Sequence, residues 1–229
     1  MKSKTSISSK IILTIFMLVI ILPVLTLLVW TFTERWAWPD LWPQVFSMRA
    51  VDEILRRKEE LIKLFASSIL ISLVVAVLSI VIGTMTARAL VLYDFPGKDG
   101  AYFLSILPFM VPGTVFAMGV QVTFIKLGLN NNVLGVIIAH LVCSLPYAVR
   151  LLMDGTMAVG NGLEEQARVL GATPWKAFYK VTLPMLAPVM LSSFSMAYIV
   201  SFSQYFLTLL IGGGQVKTCL LSTSPSPRD

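Results

Sequence analysis

The stretch that decides the fold class runs from Ile11 to Phe32 and reads IILTIFMLVIILPVLTLLVWTF. It carries no charge, and a helix needs about 20 such residues to cross the ~30 Å hydrocarbon layer of a bilayer. Three lysines precede it, as they would precede a signal peptide, but the apolar region of a signal peptide is only about 7–15 residues long. No small-x-small cleavage site follows. We therefore predict an uncleaved first membrane span.

The composition of the whole chain agrees with this prediction. Of the 229 residues, 56% are hydrophobic and 13% are charged, and the mean hydropathy is +0.82. Soluble domains contain about 25% charged residues, and a soluble core of this size cannot hide so much apolar surface. The net charge of +6 is scattered over segment ends, so no nucleic-acid partner is expected. With two cysteines, one of them Cys143 inside an apolar run, a disulfide scaffold is excluded.

Further apolar runs predict four more membrane spans. The second of these runs, at about Ala101–Lys126, contains Pro108, Pro112 and Gly113. Such helix breaks are tolerated in lipid only where protein or a water-filled cavity satisfies the freed carbonyls. The fold class we predict is an all-α integral membrane protein with five spans. The four further spans are expected at about Leu64–Leu90, Ala101–Lys126, Val133–Met153 and Met185–Ile211.

A polar interval, Glu34–Lys63, separates the first two predicted spans. Its second half, Val45–Leu64, has apolar residues near helical spacing, which predicts an amphipathic helix on the membrane surface or leading into the next span. Basic residues in the short loops favour a cytoplasmic amino terminus, which puts this interval outside the cytoplasm. We predict one region over residues 1–63 and a transmembrane domain over residues 64–218, with a cytoplasmic loop at about 154–184.

That loop carries the signals of two short helices. The first is predicted over Leu163–Leu170, with Glu164 and Glu165 in its first turn, where acidic side chains complement the helix dipole. Gly171 follows the helix end and is able to adopt the positive φ that such ends favour.

The second helix is predicted from Pro174 to about Thr182. Thr173 is placed to cap it, and proline suits the first helical position. We expect it to end before Leu183-Pro184. Because the two helices carry much small and apolar surface for a loop between spans, the pattern favours docking into a groove of a partner.

The spacing within this loop resembles a family motif. The loop contains Glu165-x-Ala167, then three residues and Gly171, then nine residues and Val181-x-Leu183-Pro184. This spacing resembles the EAA loop of ABC-importer permease subunits, whose pattern is E-A-A-x3-G-x9-I-x-L-P. Gln166 and Val181 depart from it mildly. The resemblance covers roughly Ser67 to Thr218, and the chain looks most like permeases of spermidine/putrescine importers, with iron, sulfate and thiamine importers also similar.

The resemblance implies a type I ABC-importer permease bundle, of whose expected six spans this chain holds five. It implies a coupling helix that sits in a cleft of a separate ABC ATP-binding subunit, which uses the ATP, while this chain binds no cofactor. It further implies a second permease subunit, an extracytoplasmic solute-binding protein and a place in the bacterial inner membrane, with a polyamine or similar small solute. The coupling residues it implies are Glu165, Ala167, Gly171, Ala172, Val181, Leu183 and Pro184, and we expect Glu165 to pair with a basic group or cap a helix end.

No catalytic or metal site is predicted, since the sequence has neither a Walker-type phosphate loop nor a metal-ligand cluster. Polar residues within the spans are candidates for a solute pathway or for hydrogen bonds between helices; for the histidine the hydrogen bond is favoured. The alternative function is an ion-coupled secondary transporter, but such proteins usually carry intramembrane carboxylates, and these spans have none away from their ends. The candidate pathway residues are Gln121, His140, Ser201 and Gln204.

The last residues, 219–229, form a polar tail that resembles nothing in the family, whose members have a sixth span after the glycine-rich loop. We expect a truncated or mis-joined reading frame at this point.

Overall fold

The computed structural model describes residues 7–37, 40–216 and 218, with side chains from Lys10 onward. The predicted atypical tail, residues 219–229, lies outside the described residues. The chain divides into two compact units, residues 1–62 and 63–229, which are taken in turn.

The first unit begins with helix α1, Ile7–Thr31, which contains Pro23. It corresponds to the first predicted span. Two short antiparallel strands follow, β1 (Thr33–Arg35) and β2 (Val45–Phe46), with Thr33 opposite Phe46. No sequence pattern noted above predicts these strands.

Helix α2, Arg49–Arg56, completes the first unit and has no buried residue. The amphipathic helix predicted from Val45 is therefore wrong at its start, because Val45 and Phe46 pair with β1 instead. Helix α3 begins at Lys58, directly after Arg57, so the amphipathic segment leads into the next long helix.

The second unit is a bundle of long helices with one short helical hairpin between two of them. Its elements are α3 (Lys58–Leu92, which begins in the first unit), α4 (Lys98–Met110), α5 (Gly113–Lys126), α6 (Val133–Val159), α7 (Gly162–Val169), α8 (Pro174–Ala177), a π-helical turn (Phe178–Thr182), α9 (Leu183–Phe202) and α10 (Tyr205–Gly212).

Four helices among the described residues are long and apolar enough to cross a membrane. They cover 10–31, 58–92, 133–159 and 174–202. Helices α4 and α5 qualify as a fifth span only together, and they are bent by 113°. The predicted single helix over Ala101–Lys126 is therefore wrong in its continuity. Val111, the residue before Pro112, adopts an extended conformation, as a residue preceding proline tends to do.

Parallel packing of α3 and α6 explains how the chain uses this bent pair. Ile71 and Val75 of α3 share a buried cluster with Val136 and Ala139 of α6, while residues near the other end of α3 pack with residues near the other end of α6. Since two parallel helices must be joined by a return connection, α4 and α5 together carry the chain back from one end of the bundle to the other.

The last predicted span, Met185–Ile211, is also two helices. Helix α9 ends at Phe202 and α10 begins at Tyr205, with Ser203 and Gln204 between them. The Ser203 hydroxyl donates a hydrogen bond to the carbonyl of Ile199 over 2.6 Å, an interaction with position i−4 that often bends helices. The break has no proline or glycine, so the sequence pattern did not indicate it.

Glycines allow α6 to approach both of its long neighbours. A Cβ atom added at Gly83 of α3 would lie 3.1 Å from Leu152 of α6, and one added at Gly155 of α6 would lie 2.8 Å from Val189 of α9. In lipid, where apolar surface alone drives little association, small residues of this kind let backbones pack closely. Helix α6 is thus the central element against which α3 and α9 pack.

Candidate functional site

The loop between α6 and α9, residues 162–182, folds as a helical hairpin. Helix α7 ends at a glycine turn: Gly171 has φ of 92°, its N–H bonds the carbonyl of Arg168, and the N–H of Ala172 bonds the carbonyl of Ala167, each over 3.0 Å. This pair of bonds is the Schellman ending of a helix. The predicted positive φ at Gly171 is confirmed.

The return arm of the hairpin starts as predicted and ends differently. The Thr173 hydroxyl accepts a hydrogen bond from the Lys176 N–H over 3.4 Å, and Pro174 opens α8. The predicted stop before Leu183-Pro184 is wrong, because the π-helical turn leads straight into α9. Proline in an α-helix clashes with the carbonyl four residues earlier; the wider i→i+5 turn, seen in the bond from the Leu183 N–H to the Phe178 carbonyl, relieves that clash.

A buried ion pair fixes the base of the hairpin. Arg88, close to the end of α3, donates from Nη2 to both carboxylate oxygens of Glu164 in α7, over 2.9 and 3.2 Å. Their side chains are 13% and 10% exposed. The Thr182 hydroxyl, in the π-helical turn, donates to the same carboxylate over 2.6 Å. The guanidinium of Arg88 also lies 4.8 Å from the centre of the Phe178 ring. We call Arg88, Glu164, Thr182 and Phe178 the base cluster.

The buried acid is not the one that the motif singled out. Glu165 is exposed, and its carboxylate accepts a hydrogen bond from Asn161 Nδ2 over 2.6 Å. Of the two roles expected for Glu165, a basic partner or a helix cap, this contact lies at the helix end and involves no basic group. The sequence pattern marks Glu164 only as a first-turn acid, and it points to no partner for this residue. No local spacing links Glu164 to Arg88, because they lie 76 positions apart.

The tip of the hairpin exposes apolar side chains on the surface of the protein. Val169 is 87% exposed, Leu170 88% and Trp175 74%; these three residues are the hairpin tip.

An open cavity of about 560 Å³ lies beside the tip, and its lining includes the predicted coupling residues Glu165 and Ala172. The other predicted coupling residues lie along the hairpin and its exit: Ala167 half-buried in α7, Gly171 at the turn, Val181 and Leu183 half-buried, and Pro184 exposed at the start of α9.

A second polar cluster lies deep in the bundle, where α9 and α10 meet. His140 of α6 is 2% exposed. Its Nδ1 is 3.0 Å from the Ser201 hydroxyl of α9, and its Nε2 is 2.9 Å from the Thr208 hydroxyl of α10. We call these three residues the histidine cluster. It provides the helix–helix hydrogen bonds that the sequence favoured for His140, and it bridges the break between α9 and α10.

The two candidate glutamines lie apart. Gln121 Nε2 donates to the Leu210 carbonyl over 3.3 Å, linking α5 to α10. Gln204, at the α9–α10 break, lines a cavity of about 280 Å³ together with Phe109, Phe116 and Tyr147. The structure therefore gathers His140 and Ser201 and places Gln204 near them, but it does not bring all four candidates onto one surface.

Comparison with known proteins agrees with this architecture. The sequence profile of the family described as binding-protein-dependent transport system inner membrane component matches residues 79–224. The molybdate/tungstate transport system permease protein of Thermococcus kodakarensis is 30% identical over 154 residues, which cover 66% of this chain and 60% of the relative. The putrescine transport system permease protein of Escherichia coli K12 is 25% identical over 180 residues, 76% of this chain and 64% of the relative. The sulfate transport system permease protein of the same organism is 26% identical over 166 residues, 67% and 60%.

The helical bundle and its hairpin define a multi-pass membrane protein with a structured loop between two spans. The chain belongs to the family of inner membrane components of binding-protein-dependent transport systems. The resemblance inferred from the loop motif is thereby confirmed, and with it the assignment to a family of transport subunits rather than enzymes. The chain spans less than two thirds of the length of each of the three relatives.

Proposed function

We propose that the chain is the permease subunit of an ATP-driven importer and that its hairpin docks into a cleft of a separate ATP-binding subunit. The observation that carries this proposal is the hairpin tip, whose three large apolar side chains stand exposed on a loop between two spans. Exposed apolar patches of this kind mark interaction surfaces. ATP is then hydrolysed by the partner, and this chain needs no cofactor of its own.

The proposal includes the rest of an importer. A second permease subunit, identical or different, completes the solute pathway, and an extracytoplasmic binding protein delivers the solute. The amino terminus lies in the cytoplasm. Family membership disfavours the alternative of an ion-coupled secondary transporter, since the family is one of binding-protein-dependent systems.

For the solute we propose a polyamine or a similar small organic cation. The relatives are named for solutes as different as molybdate, sulfate and putrescine, so the choice rests on this chain's own cavity. Among the described residues, its lining combines aromatic rings with the Gln204 amide and has no charged side chain. Aromatic faces attract cations, and the described lining residues, with no arginine or lysine among them, offer little to an oxyanion.

Co-purification with the ATP-binding subunit tests the proposal. Leu170→Asp, or deletion of residues 165–172, is expected to abolish it. Leu41→Asp is the matched control, because Leu41 is 87% exposed but lies in the first unit. Proteoliposomes containing the full assembly should take up putrescine in preference to sulfate and molybdate, and only with ATP. Continued uptake by the deletion variant without ATP hydrolysis would contradict the importer assignment.

A further inference from the structure

We infer that Arg88, Glu164 and Thr182 are positioning residues that transmit movement of the hairpin to helices α3 and α9. The inference rests on the proposed function, since it supposes that a partner moves the hairpin. Arg88 and Glu164 lie outside the EAA motif, and Thr182 occupies its unspecified position between Val181 and Leu183.

The connection between α6 and the hairpin is short and not helical. Only Gly160 and Asn161 separate α6 from α7, and Gly160 has φ of 66°. The return arm continues through the π-helical turn into α9, so a force applied to α7 needs a second connection to reach α3.

The Glu164 carboxylate supplies that second connection, because it joins α7, α3 and the turn before α9 at one point. Both of its oxygens accept from Arg88 at the end of α3, and one accepts as well from Thr182 in the turn that continues into α9. A displacement of α7 thus acts on two long helices together.

Burial makes this joint stiff and sensitive to charge. Both charged side chains are almost out of contact with solvent, and an ion pair in such surroundings is screened far less than one in water. Among the described residues Arg88 Nη1 has no hydrogen-bond partner. The Glu164 carboxylate is the negative charge that balances the guanidinium. Removing one partner of such a pair leaves an uncompensated buried charge.

The other ion pairs in the described part of the chain differ in kind. Glu53–Arg57, Asp94–Lys98 and Arg150–Asp154 each join residues four positions apart in one segment, and each is largely exposed on at least one side. Such pairs contribute little to stability, and they do not join distant parts of the chain. Arg88–Glu164 alone among these four joins separate helices.

The test measures uptake and ATP hydrolysis on the same proteoliposomes containing this chain, its ATP-binding subunit, the second permease subunit and the binding protein. Glu164→Gln keeps the shape of the side chain and removes its charge. We expect the number of solute molecules imported per ATP to fall about fivefold or more, the lower end of usual coupling effects, while co-purification of the ATP-binding subunit is unchanged. Arg88→Lys should retain more coupling than Arg88→Gln, because it keeps the charge but loses the planar fork.

Asp94→Asn is the matched control, since it removes an ion pair close to the same end of α3 that binds nothing in the hairpin; its import-to-ATP ratio should equal that of the wild type. An unchanged ratio in assembled Glu164→Gln would overturn the inference. If that variant does not assemble, Thr182→Val decides by the same ratio, which should fall if the inference holds and stay constant if it does not. Failure of the wild-type chain to bind an ATP-binding subunit would contradict the proposed function instead, so the two failures are distinguishable.

Discussion

The base cluster and the histidine cluster both tie helices of the second unit together, and they differ in charge and in position. The base cluster is ionic and lies at the end of α3, where the hairpin begins. The histidine cluster uses an imidazole and two hydroxyls and lies among the helices, at the break between α9 and α10.

The difference follows from the solvent around each cluster. Charges deep in a bilayer are expensive, so the bond across the α9–α10 break is made by groups that need no counter-ion. Near the membrane surface a buried ion pair is tolerable, and the role proposed for this pair is to transmit movement of the hairpin. The comparison predicts that removing a partner costs more at the base cluster than at the histidine cluster.

The largest effect is expected from Glu164→Ala. The variant leaves Arg88 buried and unpaired, which costs about 3–5 kcal/mol of unfolding free energy, measured by denaturant titration in detergent. The double variant Arg88→Met with Glu164→Leu should regain most of that loss, because apolar residues of similar volume often replace a buried ion pair without penalty. A double variant as unstable as the single one would show that packing, not charge, fixes the base of the hairpin.

Gly155→Ala tests the helix contact that lies between the two clusters. The new methyl would sit 2.8 Å from a Val189 side chain that is branched at Cβ and has few alternative rotamers. Overpacking of this kind costs about 1–3 kcal/mol in the same titration. Gly119→Ala in α5 is the control, since an added Cβ there meets nothing within 4 Å, and it should be neutral or stabilising. Equal losses in both variants would refute the close approach of α6 and α9.

His140→Ala should cost less than loss of the buried charge, roughly 1–2 kcal/mol, in keeping with hydrogen bonds between membrane helices. The hydroxyls of Ser201 and Thr208 lose a partner. Thr123→Ala is the control, because that hydroxyl bonds only a carbonyl of its own helix on an exposed face. A loss larger than that of Glu164→Ala would reverse the order that the comparison predicts.

The smallest effect belongs to the exposed pair near the base cluster. The Lys98 ammonium, hydrogen-bonded to Asp94 over 2.8 Å, holds the pKa of that carboxyl below its ordinary value of 3.8. A carboxyl with a lowered pKa in the folded state stabilises the fold above its ordinary pKa, and that contribution is lost as the pH falls through the lowered value. Titration of the Asp94 carboxyl carbon by NMR should show the pKa returning upward in Lys98→Met. An identical midpoint in both proteins would mean that the pair does not form.

The sequence predicted those features that depend on neighbouring residues. Gly171 and Thr173 behave as expected, because a helix ending and a helix cap each involve residues within a few positions. The Arg88–Glu164 pair was not predictable in this way, since it depends on α3 and α6 running parallel so that their ends meet. Likewise the break at Ser203 arises without proline or glycine, and the continuation through Pro184 depends on a π-helical turn with no sequence signal of its own.

The central claim, that the hairpin tip docks on an ATP-binding subunit, is tested most directly by photocrosslinking in native membranes. A photoreactive residue at position 170 should give a covalent product that mass spectrometry identifies as an ABC ATP-binding subunit, and Gly171→Trp should abolish that product. The same group at position 41, an equally exposed leucine, should give none. Crosslinks from position 170 to lipid alone, or equal products from both positions, would contradict the account.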